Sequence, residues 1–127
     1  LILGAAGLLK GRRAACHWAY AELLPVFGAV HDPARVVRDG NIITGGGVTA
    51  GIDFALTVLA EIGGNELAQT VQLGLEYAPA PPFDSGRPEL APAHVRERYE
   101  VMRQKFMPLR RAEAERAASV MLATEPA

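Results

Sequence analysis

The sequence predicts an α/β domain, on three observations. Residues 36–63 read VVRDGNIITGGGVTAGIDFALTVLAEIG. This is a short apolar strand pair folded about Asp39-Gly40, then three consecutive glycines, then an apolar helix. A second β signal, residues 12–17, lies between two helical patterns, and strands alternating with helices point to a parallel sheet with helices packed on it. The glycine turn also falls at the carboxyl end of a strand, where open α/β sheets bind their ligands.

Taken in order, residues 1–9 read as the end of an apolar helix, with Gly11 as its stop and Lys10 at the negative end of the dipole. The strand candidate RRAACH follows, ending in His17 and Trp18. Residues 19–27 have helical spacing at Leu23, Leu24 and Phe27, limited by Pro25 to two turns or fewer. His31-Asp32-Pro33 is a turn. After the glycines, Ile52, Ala55, Leu59 and Ile62 form a helical stripe broadened by Phe54, Leu56 and Val58, a pattern expected of a helix packed in a core or between layers. Gly63-Gly64 ends it, and Asn65 is the expected N-cap of a further helix through Leu67, Val71 and Leu75. Residues 77–92, with Pro79, Pro81, Pro82, Pro88 and Pro92, are expected to be extended and stiff. Val95, Tyr99, Met102, Phe106 and Leu109 mark one helix face that Pro108 should kink or break, before a final charged helical run over 109–123. The mixed signs of that run describe a solvated face rather than a nucleic-acid patch.

Composition narrows the function classes. The 127 residues suit one domain or part of one, 50% are hydrophobic, and 13 Lys+Arg against 14 Asp+Glu leave a formal charge of −1. That balance supplies no general attraction for nucleic acid or an anionic membrane. The most apolar stretch, 48–62, is shorter than the about 18 residues a spanning helix needs and contains Asp53 and Glu61. Lys10, Arg12 and Arg13 follow the first apolar run instead of preceding it, unlike a secretory leader. The single cysteine, Cys16, rules out an internal disulfide and fits a reducing, cytoplasmic setting. The opening LILGAAGLLKG reads as though it begins inside a helix, so the chain is expected to be the C-terminal part of a larger domain.

Several residues could carry chemistry. The glycines at 45, 46 and 47 permit positive φ and close backbone approach, and the N–H groups of Gly46, Gly47 and Val48 could stabilise a thiolate or a polarised substrate. The dinucleotide fingerprint is absent, because GGGVTAG lacks its glycine spacing. His17, at a strand tip, is either structural or a proton-exchanging partner of a nucleophile. Cys16 beside it would point to the opposite face of a strand, which argues against a Cys16–His17 dyad. Thr49 could cap the following helix, or Thr44 could hydrogen-bond across the turn. Asp53 suits local capping or a salt bridge near the helix N-terminus. Trp18, Tyr77 and Phe83 could line an apolar pocket. One cysteine and three scattered histidines do not make a closed metal site.

These blocks carry a resemblance. LILGAAGLLKGRRAACHW resembles the stretch just after the nucleophile elbow of the ThiJ/PfpI superfamily, and TGGGVTAGIDFAL resembles its later glycine turn and helix. QLGLEYAPAPPFDSGRPELAP is similar, more specifically, to bacterial isocyanide (isonitrile) hydratases. The resemblance implies a flavodoxin-like (class I glutamine-amidotransferase-like) three-layer sandwich, with residues 1–127 forming the C-terminal portion of one domain, and a homodimer. It implies a cysteine nucleophile a few residues before Leu1, with an acidic partner farther upstream. Cys16 stands where the family often has threonine and does not match the nucleophile. His17 matches a histidine that approaches the cysteine, in a supporting role. Gly46, Gly47 and Val48 match the backbone beside it, and Trp18, Thr44 and Thr49 would line the pocket. The implied reaction is hydration of an isocyanide to an N-substituted formamide, with no metal, no organic cofactor, and no nucleic-acid or membrane partner. Two alternatives are the ligand-sensing domain of an AraC-type transcriptional regulator and a glyoxalase, deglycase or peptidase-like relative.

Overall fold

The computed structural model describes residues 1–124, in two units: Leu1–Ala78 and a second from Pro79 onward. The first unit is α/β, with two small open sheets flanked by helices, consistent with the flavodoxin-like fold. A short helix α1, Ile2–Ala5, ends where Gly7 turns to φ 75°. The helix therefore stops before the expected Gly11, because the first glycine in the left-handed region already breaks it. Strand β1 is only Arg13–Ala14 and pairs in parallel with β2, Val30–His31. The expected strand over 12–17 is cut short because β2 offers two pairing residues and no more. A 3-10 run over Trp18–Phe27 makes the crossover and carries Pro25 within it. Its residues Leu23, Leu24 and Phe27 are buried. Leu24 joins Leu9, Ala14 and Ala29 in a core cluster, with Cys16 and Ile42 packed against it.

Strands β3, Val36–Asp39, and β4, Ile42–Gly45, form the expected hairpin, antiparallel with Val37 opposite Thr44. Gly40 takes φ 61° at the first position of the two-residue loop, as a type II′ turn requires. Side chains tie this ribbon to β1. The Asp39 carboxylate accepts the Arg13 N–H at 2.7 Å, and Arg12 donates to the Asp39 carbonyl at 3.1 Å. Thr44 Oγ1 accepts the Ala15 N–H at 2.8 Å and donates weakly to the Val37 carbonyl at 3.5 Å. Thr44 thus joins the hairpin to the residue just past β1 and does not reach across the glycine turn. Thr44→Val removes the acceptor for a buried N–H and should lower the stability of the intact protein by about 1–3 kcal/mol, read as a urea midpoint shift. Thr44→Ser should recover most of that loss.

A 3-10 turn, Val48–Ala50, leads into α2, Gly51–Gly63, and then α3, Asn65–Gly74. No side chain caps either helix: α2 is preceded by Ala50, and α3 by Gly64 at φ 84°. Thr49 and Asn65 are therefore not the expected caps, because the 3-10 turn and the left-handed glycine take those places. Among the described residues α2 has no buried side chain, and Ile52 and Ile62 are exposed. The stripe predicted to pack between layers is covered on part of its circumference only.

In the second unit, residues 79–92 are irregular, as their prolines dictate. Helix α4, Ala93–Thr124, then runs unbroken through Pro108. Glu100–Arg103 and Arg110–Glu113 ion pairs brace it on both sides of the proline. Met107, Ala114, Ala118 and Met121 are buried along one continuous face. No helix among the described residues is long and apolar enough to cross a membrane.

Candidate active site

The candidate site is built on the segment joining β4 to α2. Gly45, Gly46 and Gly47 all keep φ outside the left-handed region, so positive φ, one of the two properties expected of them, is not used. Close approach is what Gly47 supplies, Gly45 more mildly, while Gly46 has room for a side-chain carbon. A Cβ on Gly47 would lie 2.7 Å from Cδ2 of His17, one on Gly45 3.3 Å from the Phe54 ring, and one on Gly46 3.6 Å from the Arg35 carbonyl.

His17 precedes the 3-10 run, and its Nδ1 accepts the Ala19 N–H at 3.1 Å. A neutral ring that accepts at Nδ1 carries its proton on Nε2. The ring stacks on Trp18 at 5.7 Å between centroids and is tilted against Tyr20 at 5.8 Å. These contacts set the Cδ2–Nε2 edge against Gly47. Cys16 Sγ is 3.4 Å from the carbonyl of His17, not from its ring. There is no Cys16–His17 dyad, and the reason differs from the one expected: neither residue is in a strand, and Nδ1 is already occupied.

An open cavity of about 460 Å³ lies at the turn. Its walls include Gly46, Gly47 and Val48, together with Cys16, Thr44 and Phe54. Leu1, Leu3 and Leu9 add apolar surface. Val48 is 97% exposed. Of the three N–H groups expected to serve an anion, that of Gly46 is engaged, donating to the Arg35 carbonyl at 2.9 Å. Those of Gly47 and Val48 meet no acceptor among the described residues. A pair of neighbouring N–H groups without acceptors is suited to a developing negative charge.

The remaining candidates separate. Thr44 lines the cavity, but its hydroxyl is committed to Ala15, just past β1, and to β3. His17, Trp18 and Thr49 are not among its walls, and His17 meets the site only through its close approach to Gly47. Trp18 backs His17, and the Thr49 carbonyl accepts from the Arg35 guanidinium at 2.8 Å. Tyr77 turns its hydroxyl to Asp53 at 2.9 Å, and Phe83 is exposed. Asp53 forms the salt bridge expected of it, with Arg35. The hydrogen bond from Arg35, helped by that from Tyr77, holds the Asp53 carboxyl below the usual range. Arg35 itself went unnoticed in the sequence, because nothing in its spacing pairs it with a residue on a later helix.

Burial pushes the Cys16 thiol up from its ordinary value, so the reactive thiolate is scarce at neutral pH. Cys16 should be alkylated by iodoacetamide about ten-fold more slowly than an exposed thiol, as read by peptide-resolved mass spectrometry at pH 7.5. A rate equal to that of the unfolded chain would contradict its burial.

Comparison with known proteins adds the relatives. A model of the DJ-1/PfpI family matches residues 1–61. The chain is 58% identical over 119 residues to an isonitrile hydratase of Pseudomonas putida, covering 94% of this chain and 52% of that enzyme. It is 39% identical over 75 residues to the HTH-type transcriptional regulator CdhR of Pseudomonas aeruginosa, covering 56% of this chain and 22% of the regulator. The crystal structure of a ThiJ/PfpI family protein from Pseudomonas syringae superposes with a TM-score of 0.80 at 48% identity, over 92% of this chain and 47% of that one. The chain spans about half the length of the isonitrile hydratase and of the Pseudomonas syringae protein.

Proposed function

We propose, for a chain that belongs to the DJ-1/PfpI superfamily and is closely related to bacterial isonitrile hydratase, that the intact protein hydrates an isocyanide to an N-substituted formamide. The observation that carries this reading is the 58% identity sustained over 94% of the chain. An alignment of that length runs through the proline-rich segment 77–92. The likeness to the transcriptional regulator covers 56% of the chain and leaves a larger part of it unmatched, which favours the enzyme over the sensor.

On this reading residues 1–127 are the C-terminal portion of one domain, and the nucleophilic cysteine and its acidic partner lie before Leu1. Two observations support that division: the coverage of about half of each relative, and the apolar faces of α1 and α2 left open beside the cavity. The thiolate attacks the terminal isocyanide carbon, and protonation of that carbon gives a thioimidate. Water adds to the C=N carbon, the C–S bond breaks, and the thiol is regenerated as the formamide leaves. Within this chain, the N–H groups of Gly47 and Val48 would stabilise charge beside the sulfur, and Nε2–H of His17 would serve as a supporting donor. The apolar wall would take the alkyl group. The proposal includes a cytoplasmic homodimer with no nucleic-acid or membrane partner.

The test is to mix the intact protein with cyclohexyl isocyanide and follow N-cyclohexylformamide by mass spectrometry. Product should form, and His17→Ala should slow it without abolishing it. No product from folded protein with reduced thiols would overturn the hydratase reading and favour the sensor.

A further inference from the structure

Arg35 grips the glycine turn at two places. Its carbonyl accepts the N–H of Gly46 at 2.9 Å, and its guanidinium donates to the carbonyl of Thr49 at 2.8 Å. Between those two points lie Gly47 and Val48, both of which line the cavity. The guanidinium is held in turn by Asp53 in the first turn of α2. The other Asp53 oxygen accepts the Tyr77 hydroxyl from just past α3 at 2.9 Å. The turn is therefore tied to the start of β3 and, through Asp53 and Tyr77, to both following helices.

We propose that Arg35 is a positioning residue: with Asp53 and Tyr77 it holds the segment 46–49 in one geometry, so that the Gly47 and Val48 backbone keeps its place beside the reacting carbon. The assignment to turnover rests on the reading of this cavity as the isocyanide site. The clamp itself does not. Nε and one terminal nitrogen of the same planar group are used in two directions, toward Asp53 and toward Thr49. Lysine supplies a single ammonium on a flexible stem and cannot hold both at a fixed angle. The Arg35–Asp53 pair is partly exposed, and pairs of this kind add little to global stability. Its effect should therefore show in the turn rather than in the melting temperature.

The test compares wild type, Arg35→Lys and Arg35→Ala in the intact protein. Amide exchange at Gly46 reads the clamp, and cyclohexyl isocyanide turnover reads its consequence. Exchange at Gly46 should quicken about ten-fold or more in both variants. The kcat should fall about 10- to 100-fold with KM within about three-fold, as for misplacement of a group used mainly in the transition state. Guanidinium ion at millimolar concentration should restore part of the kcat of Arg35→Ala, whereas methylammonium should not. Unchanged Gly46 exchange in Arg35→Ala overturns the clamp whatever the substrate is. Faster exchange with unchanged kcat overturns its role in turnover. If wild type makes no formamide, the hydratase reading falls by itself, and the Gly46 exchange ratio still decides the clamp.

Discussion

On the proposed hydratase reading, replacing Gly47 with valine should lower turnover of cyclohexyl isocyanide by the intact protein about 100-fold or more. Gly47 sits at φ −70° and ψ 177°, a conformation valine adopts readily, so the substitution adds no backbone strain. Its cost is one of space. Even the first added carbon would stand 2.7 Å from Cδ2 of His17, about 1 Å inside ordinary carbon–carbon contact. The ring has little room to yield, because Nδ1 is bonded to the Ala19 N–H and one face stacks on Trp18. The turn is also restrained, by Arg35 at Gly46 and at Thr49. Either the ring or the turn must move, and each carries a donor proposed for the reaction. Gly47→Ala should show the same loss in smaller measure. Gly74→Ala, where a Cβ meets nothing within 4 Å, should stay within about two-fold of wild type. A Gly47→Val enzyme with normal kcat/KM would remove the His17–Gly47 contact from the site.

How far the fold and the site were legible depended on whether the signal was local. The β3–β4 hairpin could be read because two apolar pairs, Val36-Val37 and Ile42-Ile43, flank the Asp39-Gly40 turn within ten residues. The glycine turn was found for the same reason, yet what its glycines are for was not. Gly47 lets His17, about thirty positions earlier, lie against it, and no local pattern encodes that approach. Strand β2 escaped because Val30 and His31 are a strand only by pairing with Arg13 and Ala14. Arg35 escaped because its partners Asp53 and Thr49 lie beyond the glycine turn, where no local spacing links them to it. Pro108 misled in the opposite sense. Proline removes the N–H that would bond to residue 104 and costs about 3 kcal/mol inside a helix. That penalty governs a short helix, whereas α4 extends well to either side. The buried face Met107, Ala114, Ala118 and Met121 keeps its phase beyond the proline, and burial of that face outweighs one lost bond. The family resemblance reached the site by a separate route, through three blocks of residues whose chemistry local physics alone left undecided.

Leu24→Ala should destabilise the intact protein by about 2–5 kcal/mol, seen as a fall in urea midpoint with little change in slope. Leu24 is 0% exposed and belongs to the cluster with Leu9, Ala14 and Ala29. Two neighbours in that cluster are alanines, so the side chains around a vacated isobutyl group have little reach to refill it. The cavity should persist, and the cost should lie toward the upper part of the range. Leu24→Met preserves volume and should cost less than about 1.5 kcal/mol. The contrast matters for the site as well as for stability. The same 3-10 run that buries Leu24 begins at Trp18, immediately after His17, and Leu24 also accepts the Ala29 N–H at 3.2 Å where the run turns toward β2. Loosening this anchor should let the His17–Trp18 end of the run shift relative to Gly47. Leu24→Ala should therefore lower kcat by more than its folded fraction explains, while Leu24→Met should not. A Leu24→Ala protein that loses stability yet keeps full turnover per folded molecule would show that the glycine turn is positioned from β3 and α2 alone.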